Sequence, residues 1–164
     1  MKKAVLTLLF LVSALILGAQ EKNAPLSRGF KFSIGAGVKY VTDWKEIDIA
    51  PELGFHYRLD AKNMLGVSVM YDCVSNKEHI LALYTYDFMN NKNSPFAECR
   101  LGVVNFFKKS AGGYLGMRAG WRCMIADKVP FRLGVTMDVD RVPGRLNSGK
   151  TTSLSLGIML RTEL

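Results

Sequence analysis

Residues 144–151 read GRLNSGKT, a literal match to the GxxxxGK[ST] phosphate loop and the sharpest chemical motif in the chain. Such a loop works only when a buried strand leads into it and a helix follows, so that N–H groups at the helix start face the phosphates. Residues 152–160 instead alternate apolar and polar side chains as a strand does, so no nucleotide is expected to bind. Imidazole chemistry has two candidates, His56 and His79. His79 lies close in sequence to Asp72, Ser75 and Glu78, the residue types of an acyl-transfer triad, but no spacing among them requires one, and a solvated rim is the expectation. Cys73, Cys99 and Cys123 are odd in number and lack CxxC spacing, which points away from a disulfide framework and from a zinc site. A Cys99–Cys123 bond stays open as an alternative, because the two flank a turn symmetrically about residue 111. The sequence assigns no catalytic residue, no metal ligand and no cofactor.

What the chain has in quantity is full charge at alternate positions. Asp48, Glu52, His56 and Arg58 occupy one parity of their segment, while Ile47, Ile49, Leu53, Phe55, Tyr57 and Leu59 occupy the other. Only a strand, whose side chains point to opposite faces with a period of two, sorts residues this way. Across the chain the polar parity gathers Lys31, Lys39, Arg58, Arg100, Arg118, Arg122, Arg132 and Arg161 against Asp48, Glu52, Asp72, Asp87, Glu98, Asp138 and Asp140. The signs nearly cancel, as they must where unpaired charge is costly. Asp48, Glu52, Arg58, Glu98, Arg100, Arg118, Arg122, Arg132 and Asp138 are the candidate members of an internal ion-pair network, with His56 beside them.

The elements that position these charges are eight alternating segments in meander order, each of about 11–14 residues, a length that suits a tilted membrane-crossing strand better than a soluble sheet. Lipid requires such a sheet to close, since an open edge leaves backbone groups unpaired. The expected fold is all-β: an eight-stranded antiparallel up-and-down transmembrane β-barrel. The fourth segment is the least regular, with Leu81 and Leu83 on the polar parity. Glycines 35, 37, 54, 66, 102, 116, 120, 134 and 157 all share that parity, leaving room for long neighbours in a narrow interior. Outward aromatics fall near strand ends, among them Phe30, Tyr40, Tyr57, Tyr71, Phe88 and Trp121, as interfacial girdles do.

The chain begins with Lys2 and Lys3, an apolar run over residues 4–17 and a small-residue exit at Gly18 and Ala19. This predicts a signal peptide over residues 1–19 and one barrel domain over 20–164; a membrane anchor would need a longer apolar run. Export separates the chain from nucleic acid and nucleotide. The formal net charge of +8 falls to +6 without the two leading lysines and points to anionic lipid or polysaccharide.

The stretches FSIGAGVKY, IAPELGFHYRL, SPFAECRLGVV, YLGMRAGW and PFRLGVTMDV carry the pattern over most of the mature chain. In them it resembles the small outer-membrane β-barrel proteins of the porin-like superfamily, the group of the outer-membrane protein A transmembrane domain and the opacity-type surface proteins. The resemblance implies a Gram-negative outer membrane, termini in the periplasm, four loops outside and handling by the outer-membrane assembly machinery. Such barrels usually end in an aromatic residue, whereas this chain ends in Leu164. Short periplasmic turns are expected at residues 60–63, 90–95 and 126–129. Outside loops at 42–45, 75–77, 108–112 and 141–150 carry Lys45, Lys77, Lys108, Lys109, Arg141, Arg145 and Lys150. Of these, Lys108, Lys109, Arg141, Arg145 and Lys150 are the expected contacts to lipopolysaccharide phosphates. The function expected is non-enzymatic: a small barrel with a filled, non-conducting lumen that serves envelope integrity or surface interaction. The alternatives are a lipid A-modifying enzyme and a soluble lipocalin-like binding barrel.

Overall fold

A computed structural model describes residues 28–164 except 43–44, 91–92, 109–110, 126–128 and 144–149. The predicted signal peptide therefore lies outside the described residues. Eight strands follow one another: β1 (Gly29–Val41), β2 (Glu46–Arg58), β3 (Asn63–Asp72), β4 (Lys77–Asp87), β5 (Ser94–Val104), β6 (Gly112–Ile125), β7 (Val129–Pro143) and β8 (Lys150–Glu163). Each pairs antiparallel with the next, and β8 returns to β1, closing the barrel. The seam runs to the last residue, because Leu164 and Phe32 exchange both backbone hydrogen bonds, at 2.7 and 3.2 Å.

The period-two pattern turns inside out relative to a soluble protein. Val67, Val135 and Ile158 stand on the outer face with 57%, 65% and 60% of their surface exposed, whereas Arg58, Arg100, Arg122, Arg132 and Arg161 inside are 0% exposed. A soluble lipocalin-like barrel would place these sets the other way round, so that alternative is excluded. Only a hydrocarbon surround makes an apolar exterior of this extent stable.

Local chemistry explains the ends of the strands. Asp60 caps the β2–β3 turn: Oδ1 accepts the Lys62 and Asn63 N–H groups at 2.7 and 2.8 Å, and Oδ2 accepts the Asn63 amide at 2.7 Å. These bonds, the Lys62 N–H foremost, hold its carboxyl below the ordinary aspartate range. Asn76 and Asn105 turn the chain at φ of 54° and 55°, a left-handed region that asparagine tolerates. At Pro51 the β2–β3 ladder loses a donor; pairing in register reaches Glu52 with Met70, and the Cys73 N–H resumes contact at the Ile49 carbonyl, 2.9 Å away.

Three expectations and one open alternative need correction, the first being that His79, expected on a solvated rim, is fully buried. Lys77 is not a loop cation: it pairs in register with Asp72 as the first residue of β4, and its inward parity buries it. Arg141 likewise belongs to β7, which runs on to Pro143 and pairs with β8. Cys99 and Cys123 are free thiols, because Cys99 faces Met117 and Cys123 faces Phe131, six residues out of step along β6. The β5–β6 turn begins sooner than symmetry about residue 111 requires, since Asn105 already bends the chain.

Candidate functional site

The inward faces of the strands build the site, and along each strand the residues fall into levels. On β2 the order from the end opposite the termini, here the outer end, is Asp48, Ala50, Glu52, Gly54, His56, Arg58, and on β4 it is His79, Leu81, Leu83, Thr85, Asp87; all of these except Gly54 are at most 3% exposed. Charged levels thus alternate with an apolar one.

At the middle level Glu52 accepts hydrogen bonds from Arg100 and Arg118, each at 2.9 Å, with Arg161 3.8 Å away. Glu98 meets Arg161 at 2.6 Å and Arg118 at 3.3 Å, and accepts the Thr85 hydroxyl at 2.8 Å. Arg100 also reaches Asp138 at 3.5 Å and donates to the Tyr114 hydroxyl oxygen at 3.0 Å. Beside this group Ser33 Oγ and His56 Nε2 lie 2.6 Å apart. Gly54 and Gly66 make room for that pair, since a Cβ at Gly54 would stand 2.8 Å from Ser33 Oγ and one at Gly66 would meet the His56 ring.

At the level nearest the termini Asp87 is shared by Arg58 at 3.3 Å, by Arg122 and by Arg132, whose Nη2 donates at 2.9 Å. Glu163 pairs with Arg132 and, at 3.4 Å, with Arg58. The Arg132 guanidinium also lies over the Phe96 ring, 5.0 Å from its centre.

At the outer level Lys39 pairs with Asp72 at 2.7 Å, His79 Nε2 lies 3.0 Å from the same carboxylate, and Lys77 pairs with Asp140 at 2.9 Å. Asp48 caps the β3–β4 turn by accepting the Val74 and Ser75 N–H groups at 2.8 and 3.0 Å. Between this level and the middle one lies an apolar cluster of Ala50, Met70, Leu81, Leu83, Tyr114 and Met159. Leu81 and Leu83, the two leucines on the polar parity of the fourth segment, are thereby accounted for: they separate two charged layers.

The nine network candidates do not form one cluster. Glu52, Glu98, Arg100, Arg118 and Asp138 meet at the middle, Arg58, Arg122 and Arg132 meet at the end nearest the termini, and Asp48 binds turn backbone. Glu163, Lys77, Tyr114 and Phe96 were missed among the inward residues. Glu163 continues the parity of Arg161 by one step, and that extension was the available signal. The His79 set does not assemble either. Asp72 bonds its ring, but Glu78 pairs with Lys108 at 3.0 Å, Ser75 joins the turn held by Asp48, and His79 Nδ1 has no hydrogen-bond partner among the described residues. Among the described residues no hydroxyl is hydrogen-bonded to the His79 ring, so this set does not have the arrangement of a triad. Of the five lipopolysaccharide candidates, Lys108 and Arg141 are exposed; Lys109 and Arg145 lie outside the described residues, as does the 144–149 portion of the phosphate-loop match, and the Lys150 side chain is not described.

No protein-family model and no curated protein matches the chain. Among solved structures it is similar to Neisserial surface protein A, at 15% identity and a TM-score of 0.61 over 82% of this chain and 97% of that one. The N-terminal barrel domain of Pseudomonas aeruginosa OprF matches at 16% identity and a TM-score of 0.49 over 82% of this chain and 99% of that one. The outer-membrane enzyme PagL matches at 13% identity and a TM-score of 0.49 over 79% and 97%. With its closed meander order, apolar exterior and charged interior, the chain has the fold of the small eight-stranded outer-membrane β-barrels.

Proposed function

We propose that this protein is a non-enzymatic outer-membrane barrel with a permanently closed lumen, which serves the envelope through its wall and its basic outer surface. The observation that carries this reading is the balance of buried charge. Among the described residues eight cationic side chains, Lys39, Arg58, Lys77, Arg100, Arg118, Arg122, Arg132 and Arg161, are buried with eight acidic ones. A pore needs wet, accessible charge, whereas neutralised charge in contact with itself, backed by an apolar layer, supports a plug. Planar-bilayer recordings of the purified barrel are expected to show no discrete conductance. Stable single-channel openings would overturn the closed lumen.

With the interior neutral, the surplus positive charge belongs to the outside. Lys108 and Arg141 are exposed at the end of the barrel opposite the termini, and Lys109, Arg145 and Lys150 accompany them in sequence. Lysine offers lipid A phosphates a point charge and arginine a two-toothed fork. Lys108 is partly committed, since its amine also holds Glu78 and the Asn76 carbonyl. Replacing these five residues by Gln is expected to weaken binding to purified lipopolysaccharide and to flatten its dependence on salt. Unchanged affinity across a salt series would show that this charge is merely solvated.

A further inference from the structure

We propose that Asp72, His79 and Asp140 form a binding site for a first-row transition-metal dication, with zinc the ion their chemistry fits, inside the outer end of the barrel. The three come from the end of β3, the start of β4 and the far portion of β7, and all are buried. One ligand atom from each lies within 4.8 Å of the others. A tetrahedral zinc site, with bonds of about 2.0–2.2 Å, sets its ligands roughly 3.5 Å apart, so side-chain rotations of an ångström or so would complete it. The sequence sets His79 near Asp72 but gives no hint of Asp140, which lies 61 residues further on with no motif to link it.

A second observation points to a ligand. His79 Nδ1 and Asp140 Oδ1 are both buried without a hydrogen-bond partner, although buried polar atoms are as a rule satisfied. Imidazole nitrogen combined with two carboxylates suits zinc, nickel or manganese; magnesium and calcium favour oxygen alone. Three protein ligands leave the fourth position to water.

Two ammonium groups compete for the same carboxylates. Lys39 holds Asp72, and Lys77 holds Asp140 at 2.9 Å and contacts Ser153 Oγ at 3.3 Å. Lys77 stands at the mouth of the barrel with 10% of its side chain exposed, and its flexible stem allows the ammonium to swing into water as the ion enters. Asp48, opposite Lys39 in register, adds a further negative charge at this level. The apolar layer of Ala50, Met70, Leu81, Leu83 and Met159 lies on the inner side, so an ion from the external medium reaches the site without crossing the lumen. Once bound, it would tie the β3–β4 hairpin to β7 across the barrel.

The test is isothermal titration of the folded barrel in detergent with zinc alone, alongside thermal unfolding with and without a chelator, on protein carrying Cys73→Ser to remove the nearby exposed thiol. One saturable site and a chelator-reversible rise in the unfolding temperature are expected. His79→Gln and Asp140→Asn should each weaken binding about 10–100-fold, at least the cost of disturbing an outer-shell partner. Lys77→Met should tighten it, because the competing ammonium is gone. The proposal fails if neither the parent protein nor Lys77→Met binds zinc, or if binding persists when His79→Gln and Asp140→Asn are combined.

Discussion

Replacing Glu52 by Ala is expected to destabilise the folded barrel by about 4 kcal/mol or more, measured by urea unfolding in lipid vesicles. Removing one partner of a buried pair costs about 3–5 kcal/mol, because the other charge is left uncompensated. Glu52 serves two guanidiniums, with a third 3.8 Å away. Among the described residues its loss leaves Glu98 and Asp138 as the acids in contact with Arg100, Arg118 and Arg161, in a layer bounded on one side by Leu81, Leu83 and Met159. A cost of that size is a large fraction of the roughly 5–15 kcal/mol that holds an ordinary domain together. Glu52→Gln separates charge from shape: it keeps an acceptor oxygen but not the negative charge, and should recover only a minor part of the loss. Adding Arg118→Met to Glu52→Gln removes one of the stranded cations and should restore stability relative to Glu52→Gln alone. A loss under about 1 kcal/mol for Glu52→Ala would mean that water replaces the carboxylate freely, which would also undermine the closed lumen.

The contrast between what could and could not be read from the sequence follows from this network. Alternation along a strand is local and has a period of two, so the outward placement of Val67 or Leu133 and the inward placement of Glu52 or Arg118 depend on nothing beyond their own segment. Which carboxylate meets which guanidinium depends instead on register and tilt around the closed barrel, and no spacing encodes those. Arg161 reaches Glu98 from the opposite side of the ring of strands, 63 residues away in sequence. Composition also misleads where parity and polarity part company. Phe96, Tyr114 and Met159 are apolar or aromatic yet point inward, because long guanidiniums need flat or soft surfaces to lie against. Boundaries shifted for a related reason: Lys77 and Arg141 look like loop cations by charge, but strand pairing continues past them for as long as the backbone ladder has partners.

Arg132→Ala sets two effects of opposite sign against each other, and their sizes decide the outcome. Arg132 faces Arg122 on β6 and Arg161 on β8 directly in register, so three guanidiniums stand side by side on adjacent strands. Like charges opposite one another disfavour a sheet by about 0.2–1 kcal/mol per pair, and removing the central one relieves both contacts. Against that relief, Arg132 engages both acids of the level nearest the termini, Asp87 and Glu163, more closely than Arg58 engages either, and lies over Phe96. Without it Glu163 keeps Arg58 at 3.4 Å, a weaker contact for a carboxylate that is 3% exposed. The loss of two buried pairs, about 3–5 kcal/mol, exceeds the relief, so a net destabilisation of about 2–4 kcal/mol is expected. Arg132→Lys should fall between parent and Ala, since one ammonium cannot reproduce a fork that addresses two carboxylates at once. Hydrogen exchange should locate the damage at the ends of β7 and β8 nearest the termini, leaving the pairing of Asp138 with Ser155 near the opposite end protected. A stability equal to or above that of the parent would show that repulsion among the three arginines outweighs their pairing, and that the acids at this level are solvated rather than sealed.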